Sequence, residues 1–192
     1  KTMVEISSEN PLLIEKFSIR HPHVHVCLDI QSDDERIEWM VLENQGFGIA
    51  VSTGRNRNIE KHELLGTEAV CLLPVSHRLA GNEVISPEDL GGENFISYFE
   101  GSIFKNDIDK AFNTAKVRRL TRYEGKTTGA IIGMVGAGLG VSIIDSGFGA
   151  GSFDPRCITV PFKPAIPYTA ELLWSTQRDL SAIQTEFLNM VR

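Results

Sequence analysis

The sequence has no long apolar segment, few cysteines and no excess of basic residues. No apolar run approaches the ~20 residues needed to cross a bilayer, and the N-terminal KTMVEISSEN lacks the pattern of a secretion signal. These absences predict a cytoplasmic protein that does not associate with membranes. The three cysteines, Cys27, Cys71 and Cys157, are scattered rather than arranged as a disulfide framework, which is typical of a reducing compartment.

The formal net charge of −6 disfavours direct nucleic-acid binding, because such binding requires a basic surface that displaces phosphate counterions. A local basic cluster is present, made of Lys116, Arg118, Arg119 and Arg122. We interpret it as a solvated face. The sequence also contains neither a G-x-S-x-G nor an H-E-x-x-H motif, so no enzymatic activity is predicted.

His21, His23 and His25 alternate along the chain, and alternate residues of a strand share one face. A metal site is nevertheless not predicted, because no Cys, Asp or Glu stands at a recognised ligand spacing from them. We interpret the histidines as a helix stop followed by polar strand positions. No cofactor is predicted from any other motif.

Residues 126–145 predict a capped helix, a glycine turn and a buried strand in succession. Thr127 and Thr128 are both candidate caps, because a hydroxyl there accepts a hydrogen bond from the first helical turn. The turn contains three alternating glycines, Gly136, Gly138 and Gly140. They predict positive φ angles before a strand at 141–144 that is enclosed on both faces. Because the glycines follow a helix rather than a strand, the order argues against a dinucleotide-binding loop.

Three predicted strands in the first part of the chain each end in hydroxyl or amide side chains. The strand ends are Ser7 and Ser8, Gln31 and Ser32, and Ser52 and Thr53. Helices are predicted between the strands, beginning at Pro11 and at Asp33. Because the carboxyl ends of parallel strands lie along one crevice, these side chains predict a ligand-binding position.

Strands and helices continue to alternate, which predicts an α/β fold of two Rossmann-like lobes joined by two crossover strands. We expect lobe I to comprise residues 1–74 and 168–192, and lobe II to comprise residues 75–167. The crossings are predicted near Pro74 and Pro167, where the composition changes. Clefts between lobes are favoured sites for small molecules, so the predicted site lies between the two.

Four segments together resemble the effector-binding domain of LysR-type transcriptional regulators. They are LLPVSHRLA at 72–80, ISPEDL at 85–90, FI at 95–96 and MVGAGLGVSI at 134–143. The resemblance implies the fold of type 2 periplasmic binding proteins and a small-molecule effector. It also implies a homodimer or homotetramer, with DNA bound through an N-terminal winged helix-turn-helix that is absent from this chain. Within the family, EGSIF at 100–104 and IID at 143–145 look most like the branch that answers to opines such as octopine and nopaline.

The predicted effector site draws on residues from both lobes. From lobe I it takes Ser7, Ser8, Ser32, Ser52 and Thr53, and from lobe II it takes Glu100, Gly101, Ser102, Phe104, Thr127, Thr128 and Asp145. Hydroxyls and helix N-termini would bind a carboxylate, and the two acidic side chains would hold an ammonium or guanidinium. The competing interpretation is plain helix or turn capping by the hydroxyls and by the Asp, and a solvated loop position for the Glu.

Two other functions share the predicted architecture. A periplasmic solute-binding protein would have the same lobes but would be secreted and act as a monomer. A peroxide sensor would need a reactive, accessible cysteine pair, for which Cys71 and Cys157 are the candidates, although Cys71 is expected to be buried.

Overall fold

The computed structural model describes residues 3–7, 11–28, 47–51, 57–147, 154–177 and 179–191. Strands and helices alternate over these residues, which confirms the predicted α/β class. The elements are β1 (Met3–Ser7), α1 (Pro11–Arg20), β2 (His25–Leu28), β3 (Phe47–Val51), β4 (Ile59–Pro74), a 3₁₀ helix (Glu88–Leu90), β5 (Asn94–Tyr98), α2 (Ile103–Ala115), β6 (Leu120–Gly125), α3 (Thr128–Gly136), β7 (Ser142–Asp145), β8 (Cys157–Pro161), β9 (Pro167–Ser175) and α4 (Ala182–Val191).

The chain divides into two compact units. Unit 1 comprises Lys1–Gly66 and Thr169–Arg192, and unit 2 comprises Thr67–Tyr168. The chain therefore enters unit 2 within β4 and leaves it within β9.

Unit 1 has a sheet in which β1 pairs in parallel with both β2 and β3, while β3 pairs antiparallel with β9. Helices α1 and α4 contribute Phe17 and Phe187 to its core, and their rings meet edge to face with centroids 5.2 Å apart. The ring of Phe187 also lies 5.0 Å from that of Phe47 in β3. Leu172 and Trp174 of β9 belong to the same cluster, so the returning strand is part of the unit 1 core.

Among the described residues, the larger buried apolar cluster lies in unit 2. β4 pairs antiparallel with β7 and β8, and β5 pairs in parallel with β6. An isolated parallel bridge between Phe95 and Val141 joins β5 to the segment that enters β7. All four residues of β7 are buried, which confirms the predicted strand enclosed on both faces. The apolar faces of α2 and α3 pack on this framework through Phe104, Ile108, Ile131 and other buried residues.

The structure differs from the sequence prediction at β4. The pattern predicts two strands, at 62–65 and 69–74, whereas one strand runs from Ile59 to Pro74. The strand is continuous through Gly66, between the two predicted segments. The predicted helix beginning at Asp33 lies outside the described residues.

The glycine turn after α3 also differs in part from the prediction. Of the three glycines, Gly138 has a positive φ, 76°, whereas Gly136 is the last helical residue. A Cβ on Gly140 would stand 2.2 Å from the carbonyl oxygen of Asn94, and one on Gly136 would stand 2.4 Å from Asp154 Oδ2. Two of the three positions are therefore glycine because of close packing rather than backbone conformation.

Candidate functional site

Three strands of unit 2 end at the same edge. β5 and β6 are parallel, with Tyr98 opposite Gly125, and the Phe99 amide donates to the Gly125 carbonyl at 3.2 Å. The Phe95–Val141 bridge is also parallel, so β7 runs in the same direction and ends at Asp145 on this edge. We call these strand ends and the turns that follow them the carboxyl edge of unit 2.

Helix α2 begins at the carboxyl edge after the turn that follows β5. Gly101 in this turn has a φ of 93°, a conformation that side-chain-bearing residues rarely adopt. Ser102 is the N-cap, and its hydroxyl accepts a hydrogen bond from the Lys105 amide at 3.4 Å. The structure thus shows the predicted Ser102 hydroxyl at a helix N-terminus.

Helix α3 begins at the same edge directly after β6. Thr127 is the N-cap, and its hydroxyl accepts a hydrogen bond from the Ala130 amide at 3.2 Å. Thr128 is the first helical residue and is buried, with its Oγ1 2.9 Å from the hydroxyl of Tyr98. Of the two candidate caps, Thr127 caps the helix, and Thr128 belongs to a buried hydrogen bond.

Aromatic rings continue from this hydrogen bond into the core. The ring of Tyr98 contacts that of Phe104 edge to face at 5.6 Å, and Phe104 contacts Tyr168 at 5.0 Å. Thr67 donates through its hydroxyl to the Tyr168 carbonyl at 3.4 Å. Phe104 is therefore a core residue that links the carboxyl edge to the residues at which the chain enters and leaves unit 2.

The two predicted acidic residues lie in contrasting environments. Glu100 is exposed, and its carboxylate is 3.0 Å from the ammonium of Lys105. Asp145 is buried, and its Oδ1 faces the next turn, 3.0 Å from where a Cβ on Gly147 would stand. The carboxylate of Glu100 is therefore open to solvent, whereas that of Asp145 is buried.

The predicted residues of lobe I are only partly described. Ser7 is the last residue of β1, opposite Gly48 of β3, and its side chain is not among the described groups. Ser8, Ser32, Ser52 and Thr53 lie outside the described residues. Their part in ligand binding stays a prediction.

Two residues of the carboxyl edge, Tyr98 and Lys105, were not selected from the sequence. Tyr98 ends a strand of mainly apolar residues. That pattern predicts a buried ring and gives no sign that the Tyr98 hydroxyl bonds to Thr128. Lys105 stands in the first turn of α2, where a cation opposes the helix dipole. That unusual position was the available signal for its pairing with Glu100.

The cysteines do not form the reactive pair that a peroxide sensor requires. Burial is the main cause that raises the pKa of Cys71 well above its usual range, and Asp89 and Glu93 raise it further. Burial likewise raises the pKa of Cys157, more than the neighbouring Arg156 lowers it. Both thiols are free, buried and disfavoured as thiolates.

The carboxyl edge offers two helix N-termini of adequate length. α2 has 13 residues and α3 has nine, and both first turns carry backbone N–H donors beside a hydroxyl cap. Such termini favour a negatively charged group, because the helix dipole and the free N–H groups act together. Among the described residues, no group of three or more His, Cys, Asp or Glu side chains is suited to a metal ion. Of the described helices, none is long and apolar enough to cross a membrane.

Two α/β units, with helix N-termini gathered at a strand edge, define a small-molecule-binding domain. The chain belongs to the LysR substrate binding domain family, whose model matches residues 8–192. This match confirms the resemblance inferred from the sequence, and with it the type 2 periplasmic-binding-protein-like fold.

Curated relatives agree with this assignment. The transcriptional activator protein LysR of Escherichia coli is 28% identical over 92% of this chain and 57% of its own length. Regulatory protein NocR of Agrobacterium tumefaciens is 28% identical over 91% of this chain and 58% of its own length. The chain thus spans somewhat more than half the length of these relatives. They are regulators, which does not favour the solute-binding alternative.

A solved structure shows the same fold. The effector binding domain of QuiR in complex with shikimate superposes with a TM-score of 0.80 at 16% identity, covering 98% of this chain and 94% of that one.

Proposed function

We propose that this domain senses a small anionic or amino-acid-like effector and transmits its binding to DNA-binding domains of the same regulator. The observation that carries the proposal is the pair of hydroxyl-capped helix N-termini at the carboxyl edge. The occupied QuiR domain supports it, since shikimate is a small carboxylate held by a domain of this fold.

The proposed contacts in unit 2 are the hydroxyls and amides at the two helix starts. Ser102, Thr127 and the first-turn amides would accept the anionic group, and Glu100 would take a cationic group of the same ligand. Asp145 and Thr128 would support the edge from beneath. Ser7, Ser8, Ser32, Ser52 and Thr53 remain the proposed contribution of the other lobe.

The proposed partners follow from family membership. The two units would be the regulatory lobes, joined in the full protein to an N-terminal winged helix-turn-helix that binds DNA. The protein would act in the cytoplasm as a homodimer or homotetramer, and no cofactor, metal or catalytic step is invoked.

Thermal unfolding with a ligand panel tests the proposal. The panel contains amino acids, opines, shikimate and aromatic acids, and an effector at 100 times its dissociation constant should stabilise the fold by about 2.7 kcal/mol. The Ser102→Ala and Thr127→Ala double variant should reduce this stabilisation. Thr114→Ala is the matched control, because Thr114 is an exposed helix residue of α2 that bonds only to its own helix backbone at Lys110. An unchanged ligand effect in the double variant would show that the hydroxyls only cap.

A second measurement addresses the coupling. In the full-length regulator the effector should change operator affinity by an amount worth roughly 1–3 kcal/mol, and DNA should change effector affinity by the same factor. Equal effector affinity with and without operator would contradict the sensor proposal.

A further inference from the structure

A chain of four alternating charges runs along α2 from the carboxyl edge. The ammonium of Lys105 is 3.0 Å from Glu100 Oε1 and 2.9 Å from Asp109 Oδ2, and Asp109 Oδ1 pairs with the guanidinium of Arg119. The formal charges of the two acidic and two basic side chains sum to zero. The side chains of Lys105 and Arg119 are 12% and 13% exposed, so the cations are largely withdrawn from water.

The two carboxylates that hold Lys105 are fixed to different degrees. Asp109 lies one helical turn from Lys105 and is also held by Arg119, whose guanidinium stands 4.9 Å from the rings of both Phe95 and Phe112. Glu100, by contrast, has a side chain 79% exposed in the turn before the helix. Ion pairs with an exposed partner contribute little to stability, so the Glu100 contact is easily exchanged.

Loss of Glu100 alone would leave the buried ammonium short of one negative partner. Lys105 keeps Asp109 as a partner, so this loss is modest. An anionic group in the place of Glu100 restores the second contact and the charge balance, which a neutral group does not. A ligand carboxylate is such an anion. It would also stand near the start of α2, where the dipole and backbone N–H groups favour an anion, because Glu100 lies two residues before the N-cap Ser102.

We propose that Lys105 is a specificity-determining residue that accepts the effector carboxylate in exchange for Glu100. The inference rests on the proposed function, in that it assumes a small ligand at the carboxyl edge. It narrows the ligand class to molecules with a carboxylate or an equivalent single anion. The released Glu100 carboxylate then stands beside the ligand and favours a second, cationic group on it, as an amino acid or opine carries.

The test compares acids with partners in which the carboxylate is masked. The probes are L-arginine against L-argininamide, shikimate against methyl shikimate, and octopine, titrated calorimetrically at constant ionic strength. Lys105→Met should lower the affinity for the acids by about tenfold or more, as expected for loss of a charge-assisted hydrogen bond. Its affinity for the probes with a masked carboxylate should equal that of wild type. Lys110→Met is the matched control, since Lys110 lies on the same helix with an exposed Asp107 partner.

Glu100→Gln should change the affinity for acids in the opposite direction. Because this side chain is exposed, the substitution should leave the fold intact, and the test does not depend on a destabilised variant. Removing the competing carboxylate should tighten shikimate several-fold, while arginine and octopine gain less because their cationic group loses Glu100. The proposal is overturned if both variants shift acid affinity in the same direction. It is also overturned if Lys105→Met weakens acids and masked partners equally, which is the signature of a purely structural lysine.

The two proposals fail in different ways. If wild type binds a probe and Lys105→Met binds it unchanged, the role of Lys105 is wrong and the effector site stands. If neither wild type nor Glu100→Gln binds any probe, the proposed ligand class and the role of Lys105 are both wrong.

Discussion

The two helices that begin at the carboxyl edge use the same capping chemistry in different surroundings. α2 follows an exposed turn, where the solvent-exposed Glu100 pairs with the largely buried ammonium of Lys105. α3 begins beside the buried Tyr98–Thr128 hydrogen bond. One helix start therefore has an exposed charged partner, at which we propose the ligand exchange, whereas the other is fixed as part of the core.

The largest change in unfolding free energy is expected from the charged residues of α2. Asp109→Ala should lower the free energy of unfolding by about 3 kcal/mol, because it leaves the largely buried cations of Lys105 and Arg119 without their shared partner. Urea unfolding measures the change. Asp107→Ala is the control, since the exposed pair with Lys110 should contribute no more than about 0.5 kcal/mol. Equal losses in the two variants would show that the ion pairs of Asp109 with Lys105 and Arg119 are no more than a surface network.

The start of α3 depends on packing at Gly125, the last residue of β6. A Cβ there would stand 2.7 Å from Ile131 Cγ1 and 3.1 Å from Met134 Cε. Gly125→Ala should therefore cost about 1–3 kcal/mol in unfolding free energy, as overpacking does.

Gly133 in the middle of α3 supplies a control of opposite sign. A Cβ there meets nothing within 4 Å, so Gly133→Ala should stabilise by roughly 0.5–1 kcal/mol. If both alanines destabilise alike, the difference between the crowded start and the open middle of the helix is refuted.

The buried hydroxyl pair should give a smaller effect. Tyr98→Phe and Thr128→Val should each cost about 1 kcal/mol, the usual net contribution of an intramolecular hydrogen bond, and the double variant should cost less than their sum. A double-mutant cycle in urea measures this coupling. Strict additivity would mean that the two hydroxyls do not stabilise each other. The buried hydrogen bond would then not distinguish the start of α3 from that of α2.

The far end of α3 gives the smallest effect, and it depends on pH. Hydrogen bonds from the side chain and backbone of Arg156 lower the pKa of Asp154 to about 2, from an ordinary value of 3.8. The carboxylate lies against Gly136, the last residue of α3. Because the folded pKa is the lower one, the contribution to stability is complete above about pH 4 and is lost as the pH falls towards 2.

Thermal unfolding of wild type and Asp154→Asn between pH 2 and 5 checks this expectation. The difference between the two proteins should shrink as the pH falls through that window. A difference that is constant with pH would show that Asp154 contributes by shape rather than by charge.

Local patterns in the sequence predicted most of the framework. The strand at 94–98, the start of a helix at Pro11 and the buried strand after the glycine turn all depend on neighbouring residues, and the structure has each of them. The residues next to Gly140 in the sequence do not explain why a glycine is required there. Gly140 packs against the backbone of Asn94, 46 residues earlier, so only the folded arrangement reveals it.

The candidate site was less predictable for the same reason. Ser102 and Thr127 could be found because a cap precedes an apolar helical pattern. Tyr98 ends β5 and Thr128 begins α3, 30 residues later, and nothing local signals their contact. Lys105 is close to Glu100 in sequence, but its other partner, Asp109, is shared with Arg119, which lies ten residues further along the chain than Asp109.

The burial of Cys71 and Cys157 has a practical consequence. Cys27, half-buried in β2, is the thiol that a maleimide dye should reach first in the folded chain. A second dye on a cysteine introduced in place of exposed Lys110 would place one fluorophore on each unit. Energy transfer between the two would then report, molecule by molecule, whether a ligand changes the separation of the units, with every native cysteine left in place.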